Sequence, residues 1–295
     1  MAIDKYQPCP CGSGKKIKFC CTADLLGELE KLQRMLDGEQ RLACLEHIVH
    51  LLEKHPRVPA LLSIKAMLEN ELGNVEQADK TIDELLEVMP NSPVAMAERA
   101  RLMAGQGQAV EAARCLQHAL NAAEEAFPVR VYNVLGFVAG ALLERGLFAA
   151  ARAHFLLQVS LGGKDDPSGA SLLMELNSAP GVSLLLKQDT RFAEAAEGAS
   201  YKREFDEAME LVGRARWLAG HDKLAALAEK HGRDPAIRHN LAMLRCFLGQ
   251  EEDAAKSWRI CSSLTEPTSL EDAVEAEAMA QLLDGRPLGA EVPIV

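Results

Sequence analysis

The sequence predicts an all-α protein: an α-solenoid, a superhelix of helical hairpins, preceded by a small knuckle of four cysteines that holds a metal ion. Three observations carry this expectation. Half of the eight cysteines fall within the thirteen residues from Cys9 to Cys21. Beyond them almost every segment reads as an Ala- and Leu-rich helix, with aromatic residues only 4% of the chain, and small side chains suit close helix stacking. Finally, glycines recur with an alanine five residues later, a register expected of repeated helical pairs.

The knuckle reads Cys-Pro-Cys-Gly-Ser-Gly-Lys-Lys-Ile-Lys-Phe-Cys-Cys. Cys9 and Cys11 face one ion from one side of a hairpin and Cys20 and Cys21 from the other, and four thiolates satisfy the tetrahedral preference of Zn²⁺ or of a mononuclear iron. Gly12, Ser13 and Gly14 form the turn, where the glycines let the backbone fold tightly and aim N–H groups at the sulfurs as an outer shell. Such a site carries about two net negative charges, which Lys15, Lys16 and Lys18 offset. Two disulfides or a redox pair are the alternatives, but a Cys20–Cys21 bridge closes a strained eight-membered ring, so metal is the favoured reading. With four protein ligands the site has no open position and is structural or a recognition surface.

The spacing C-x-C-x8-C-C resembles the SEC-C motif of the SecA preprotein translocase motor, and the resemblance extends to Pro10, Gly12, Ser13, Gly14, Lys15 and Lys16. The family's fourth ligand is His or Cys; this chain has Cys21. The resemblance covers residues 8 to 21 and implies one Zn²⁺ (or iron) per chain, with the knuckle surface at Lys15, Lys16, Lys18 and Phe19 contacting a secretion chaperone or the ribosome. Replacing Cys9 and Cys20 by Ser is expected to abolish metal binding and to leave helicity almost unchanged, on the view that the repeats bury their own core.

A chain of 295 residues buries a substantial core, and no apolar run approaches the twenty residues needed to span a bilayer. The N-terminal Met-Ala-Ile-Asp-Lys-Tyr-Gln has no apolar stretch, and thiols expected to be reduced place the protein in a bacterial-type cytoplasm. Cys44, Cys115, Cys246 and Cys261 are scattered along helices as small apolar residues. The net charge of −11 is uneven: residues 1 to 21 hold Lys5, Lys15, Lys16 and Lys18 against Asp4, a local +3 that leaves −14 elsewhere. The acidic body argues against phosphate-backbone binding along its length, whereas the basic knuckle suits an acidic protein or RNA.

Aligned by their glycines, the pairs are Gly38/Ala43, Gly73/Ala78, Gly107/Ala112, Gly146/Ala151, Gly220/Ala225 and Gly249/Ala254. The step from Gly73 to Gly107 is 34 residues, and Pro56, Pro90 and Pro235 mark ends of second helices. The glycine accepts the positive φ that ends a first helix, the alanine lets the second close against it, and Ile82, Leu116, Phe155 and Trp258 plug the next interface. This pattern resembles the tetratricopeptide repeat (TPR). Repeats are expected over 23–161 and again over 205–285, where a polar helix near 270–284 caps the array. Lys65 and Glu69 stand where that family prefers apolar residues. Residues 162–204 break the period as a divergent or inserted segment, and 286–295 read as a flexible tail.

Arrays of that family bind a peptide along the groove lined by first helices, which implies groove residues Met67, Asn70, Arg101, Asn133, Gly136, Arg214, His239 and Met243, flanked by Ser63, Ala97 and Trp217. The cation set of a carboxylate clamp is absent. Arg101 and Arg214 alone offer cations, so an extended peptide with apolar side chains and one carboxylate is the expected partner. His47 and His50 form an unassisted helical pair, read as surface. No G-x-S-x-G, phosphate-binding loop or dinucleotide fingerprint occurs, no small-molecule substrate is evident, and catalysis is not expected. The reading is a non-enzymatic adaptor; the alternatives are a nucleic-acid- or ribosome-associated factor using the basic knuckle, and a thiolate metal or redox sensor.

Overall fold

The computed structural model describes residues 3–123, 128–162, 168–178, 182–187, 191–265 and 269–285. The expected tail and parts of the expected loop at 162–167 and turn at 180–181 lie outside them. The described chain is all-α, with helices packed as sequential antiparallel pairs behind the N-terminal cysteine cluster. It divides into two compact units, residues 1–138 and 139–295. None of the described helices is long and apolar enough to cross a membrane.

Unit 1 holds α1 (Leu26–Asp37) with α2 (Arg41–Lys54), α3 (Pro59–Glu71) with α4 (Val75–Val88), α5 (Pro93–Gly105) with α6 (Ala109–Ala122), and the first part of α7 (Val129–Glu144). Proline opens α3 and α5, where its missing N–H is harmless, and the Ser92 hydroxyl caps α5 by accepting from the Ala95 N–H at 3.2 Å. Unit 2 holds the end of α7, then α8 (Phe148–Gly162), α9 (Ser168–Ser178), α10 (Leu184–Lys187), α11 (Lys202–Gly213), α12 (Trp217–Lys230), α13 (Pro235–Phe247), α14 (Glu251–Thr265) and α15 (Leu270–Leu283). Pro235 opens α13 rather than ending α12, and Ser269 caps α15 with its exposed acids Glu271, Asp272 and Glu275.

Four of the glycine turns are as expected: Gly73, Gly107, Gly146 and Gly249 have φ of 76, 76, 75 and 73°. Ala78, Ala112, Ala151 and Ala254, five residues on, are fully buried at 0% exposure. Two pairs are misaligned. In the first hairpin the left-handed residue is Glu39 (φ 56°), not Gly38 (φ −86°); buried Cys44 takes the small-residue place and Ala43 is exposed. In α11/α12 the left-handed residue is Ala215 (φ 62°), and Gly220 itself stands in the alanine's place. A Cβ on Gly220 would come within 2.6 Å of Val212 Cγ2 and 3.1 Å of the Ala208 carbonyl. The offset of five is therefore a rule of close approach between helices, which glycine, alanine or cysteine satisfies, and glycine at the turn is dispensable.

Lys65 and Glu69 find a polar solution inside the second hairpin. Glu69 is 4% exposed, accepts from the Thr81 hydroxyl at 2.6 Å and lies 3.5 Å from Lys65 Nζ, which also donates to Thr81. Every member of the triad is satisfied, so the charge is tolerated in the interface.

Candidate metal centre and flanking helical faces

The knuckle folds as a short hairpin. Pro8 and Lys16 pair as an antiparallel bridge, the Cys9 N–H donates to the Lys15 carbonyl at 2.8 Å, and the Ile17 N–H donates to Gln7. Gly12 (φ +79°) and Gly14 (φ +71°) turn the chain, and a 3-10 turn over Ile17–Phe19 presents Cys20 and Cys21. The Gly12 N–H goes to the Cys9 carbonyl.

The four sulfurs lie within 4.8 Å of one another, with Cys9 to Cys21 at 3.7 Å and Cys11 to Cys20 at 3.5 Å. A tetrahedron of thiolates about 2.3 Å from a central Zn²⁺ requires sulfur separations of about 3.8 Å. The four cysteines therefore fit one metal ion. Ser13 Oγ lies 3.2 Å from both Cys11 and Cys20, and buried Thr22 Oγ1 lies 3.5 Å from Cys9. These hydroxyls are polar partners for thiolate charge. Hydrogen bonds from Cys21 and Cys9 lower the Cys11 thiol, while bonding to Cys11 raises Cys9 and Cys21, so the thiols titrate as one coupled group.

The knuckle is not a free module. Cys9 and Cys11 are 4% and 1% exposed, and with Ile17 they share one apolar core with Leu29, Ile48, Leu61 and Ile64 of α1, α2 and α3. The Ser63 hydroxyl donates to the Pro10 carbonyl at 3.0 Å, and Gly12 lies so close to Val94 on α5 that an added Cβ would sit 2.5 Å from Val94 Cγ2. The expectation that the repeats bury a core without it holds for the cluster of Leu62, Ala66, Ile82, Leu85 and Ala95, and is corrected for the core of α1, α2 and α3, which the knuckle completes.

Its outer face is basic and aromatic. Phe19 is 65% and Tyr6 47% exposed, the Nζ atoms of Lys5, Lys16 and Lys18 stand 5.5, 5.6 and 5.4 Å from the Tyr6 ring centre, and Lys18 also covers Phe19. Lys15 is exposed nearby. Tyr6 and Thr22 escaped the sequence reading because they lie outside the cysteine spacing, although Thr22 adjoins Cys21, and Lys5 entered it only in the charge count.

Of the groove residues, Met67, Asn70, Arg101, Asn133 and Gly136 lie on α3, α5 and α7 in unit 1. Asn133 is exposed and the other four are half-buried. The Asn70 amide donates to buried Glu98 at 2.8 Å; Glu98 also faces Arg130 at 3.6 Å. Arg101 lies 3.8 Å from Glu71, which itself pairs with Arg41 at 2.9 Å. The Arg101 guanidinium stacks 4.6 Å over the ring of Phe137, an exposed aromatic that the sequence reading passed over. Ser63 and Ala97, expected at the groove, are 0% exposed, and Ser63 lies under the knuckle, its hydroxyl on the Pro10 carbonyl.

In unit 2, Arg214 ends α11 and pairs with Glu210 of the same helix at 2.8 Å, and Trp217 is buried at 6%. His239 and Met243 lie on α13. The chain's own segment after α10 runs against that face: His239 Nε2 donates to the Arg191 carbonyl at 2.9 Å, and the buried Asn240 amide both donates to the Ala193 carbonyl and accepts from its N–H. His47 and His50 pair with Glu28 and Glu53, and no third ligand joins them among the described residues.

Compared with protein-family models and with curated proteins, the chain finds no match. Its fold and its site therefore rest on the geometry above: an array of paired helices with a four-cysteine cluster able to hold one metal ion.

Proposed function

We propose that the chain is a non-enzymatic cytoplasmic adaptor in which one Zn²⁺, or iron in its place, locks the SEC-C-like knuckle onto TPR-like hairpins that bind a protein segment. The observation that carries this reading is the strip formed by Met67, Asn70, Arg101, Asn133 and Phe137. It joins a mostly buried guanidinium, an amide and an exposed aromatic ring on first helices of successive pairs, a composition suited to an extended peptide with apolar side chains and one carboxylate. The closed four-thiolate site supports a structural ion rather than a catalytic one. By its resemblance, the outer face of the knuckle is the second docking surface, with a secretion chaperone or the ribosome as partner.

The test is capture of protein partners from native cytoplasm by the intact chain and by Arg101→Glu with Phe137→Ala. Loss of the same bands with both changes supports the groove; unchanged capture removes it. A second reading has its own observation, the three lysines around Tyr6, which suit nucleic-acid phosphates and a stacked base. Binding to a single-stranded RNA that weakens steeply with salt, and that Lys15, Lys16 and Lys18 changed to Ala flatten by roughly three phosphate contacts, favours that reading instead.

A further inference from the structure

Unit 2 contains a surface-opening cavity of about 580 Å³, a volume in the range of specific ligand pockets. Its floor is apolar and well packed: Met243 is 1%, Trp258 4%, Cys261 3%, Ala276 2% and Met279 5% exposed. Phe192 and His239 add aromatic walls, and the His239 ring meets Trp258 edge to face at 4.8 Å. The wall carrying Phe192 and Ala193 is fixed by the Asn240 amide, which bonds both the N–H and the carbonyl of Ala193.

The rim is charged and unbalanced. Asp272 and Glu275, one turn apart on α15, line the cavity and are exposed, and no cation pairs with either among the described residues. Arg191 is the single guanidinium in the lining. The field of Asp272 reaches inward, adding to burial in pushing the Cys261 thiol up to about 11. An aromatic and thioether floor beneath two unpaired carboxylates favours an apolar group carrying a cation, which gains from both the carboxylates and the ring faces.

We propose that this cavity is a docking pocket for a basic-apolar peptide segment, taking one large apolar side chain on the Met243–Trp258–Met279 floor and an adjacent Lys or Arg on Asp272 and Glu275. It gives unit 2 a ligand preference opposite in charge to that of Arg101 in unit 1. The inference rests on the peptide-binding reading, and it is tested separately because Arg101 and Phe137 do not line this cavity.

The experiment titrates the full-length protein with end-capped Phe-Leu-Lys-Leu and Phe-Leu-Glu-Leu peptides, read by calorimetry and by the fluorescence of Trp258 in a Trp217→Phe background. The lysine peptide is expected to bind at least about tenfold tighter than the glutamate peptide. Glu275→Arg with Asp272→Asn, both at exposed positions, should erase or reverse that preference, and Ala236→Phe in the lining should abolish binding of either peptide. All titrations are made in an Arg101→Glu, Phe137→Ala background, which removes the unit 1 strip, so that a peptide bound there does not enter the comparison. Equal affinities for the two peptides, or a preference that survives the rim variant, overturns the proposal. Hexylamine binding as tightly as the lysine peptide overturns the peptide as occupant.

Discussion

Gly12→Ala is the sharpest probe of how the knuckle meets the helices. Gly12 has φ +79°, and an added Cβ would lie 2.5 Å from Val94 Cγ2 and 3.4 Å from Val94 Cβ and Pro93 Cγ. The left-handed backbone costs an L-residue about 1–2 kcal/mol. Val94 is β-branched on a helix and 1% exposed, so it has no spare rotamer, and overpacking there adds about 1–3 kcal/mol. Gly14 is the internal control: its φ is +71° and nothing lies within 4 Å of the place an added Cβ would take, so Gly14→Ala should show the backbone penalty alone. Urea unfolding of the metal-loaded protein, followed by circular dichroism, should place Gly12→Ala below Gly14→Ala by about 1–3 kcal/mol. Adding Val94→Ala should restore part of the difference as a favourable coupling. Equal shifts for the two glycine variants, or strict additivity with Val94→Ala, would refute the contact between the knuckle and α5.

Metal analysis of the purified protein should give one ion per chain, and Cys9→Ser with Cys20→Ser should lose it. Because those thiols belong to the α1–α3 core, the same variant should also unfold at a lower denaturant midpoint, by about 3 kcal/mol if the ion is held at a hundredfold its Kd. Ala112→Leu, at a fully buried crossing, should destabilise by about 1–3 kcal/mol, whereas Ala43→Leu, on an exposed face, should stay within about 0.5 kcal/mol; comparable losses would mean the hairpin register is wrong. His154 is buried, its Nδ1 donates to the Ala150 carbonyl, and burial holds its pKa down from 6.5 to about 4. The unfolded chain takes the proton first, so stability present above pH 6.5 is lost as pH falls toward 4, by about 3 kcal/mol from this group. His154→Leu should flatten that acid limb in urea titrations at pH 7.5 and 4.5; an unchanged slope would dismiss the assignment.

The four-cysteine cluster was legible because a thiolate metal site demands four sulfurs in a short, turn-bearing stretch, a demand local to the sequence. Hairpins were legible where glycine marked the turn. They were misplaced where Glu39 or Ala215 adopted positive φ, since nothing local distinguishes those residues and their backbone is set by the packing of Cys44 and Gly220. The open face of the helices was the least legible. Ser63 sits in a position that looks exposed on a bare repeat, yet it is buried under a knuckle more than forty residues away in sequence. Likewise, His239 gave no sign that residues 191–193 would lie against it. Contacts of that kind depend on long-range docking, which periodicity does not encode.

The knuckle has two halves that experiments must separate. Cys9, Pro10, Cys11, Gly12 and Ile17 face the helices, while Tyr6, Lys15, Lys16, Lys18 and Phe19 face outward. An ion held by all four cysteines would join the halves, because Cys9 and Cys11 come from the inner half of the hairpin and Cys20 and Cys21 from the chain that follows Phe19. Chelation or oxidation of the thiolates therefore disturbs the α1–α3 core together with the outer surface, and a binding loss after metal removal says nothing about which half a partner touches. Tyr6→Ala and Phe19→Ala remove only exposed rings. If they abolish capture of a partner while the metal content and the urea midpoint stay unchanged, the outer half is the recognition surface; if capture persists, the knuckle acts as a structural clamp and recognition lies on the helices.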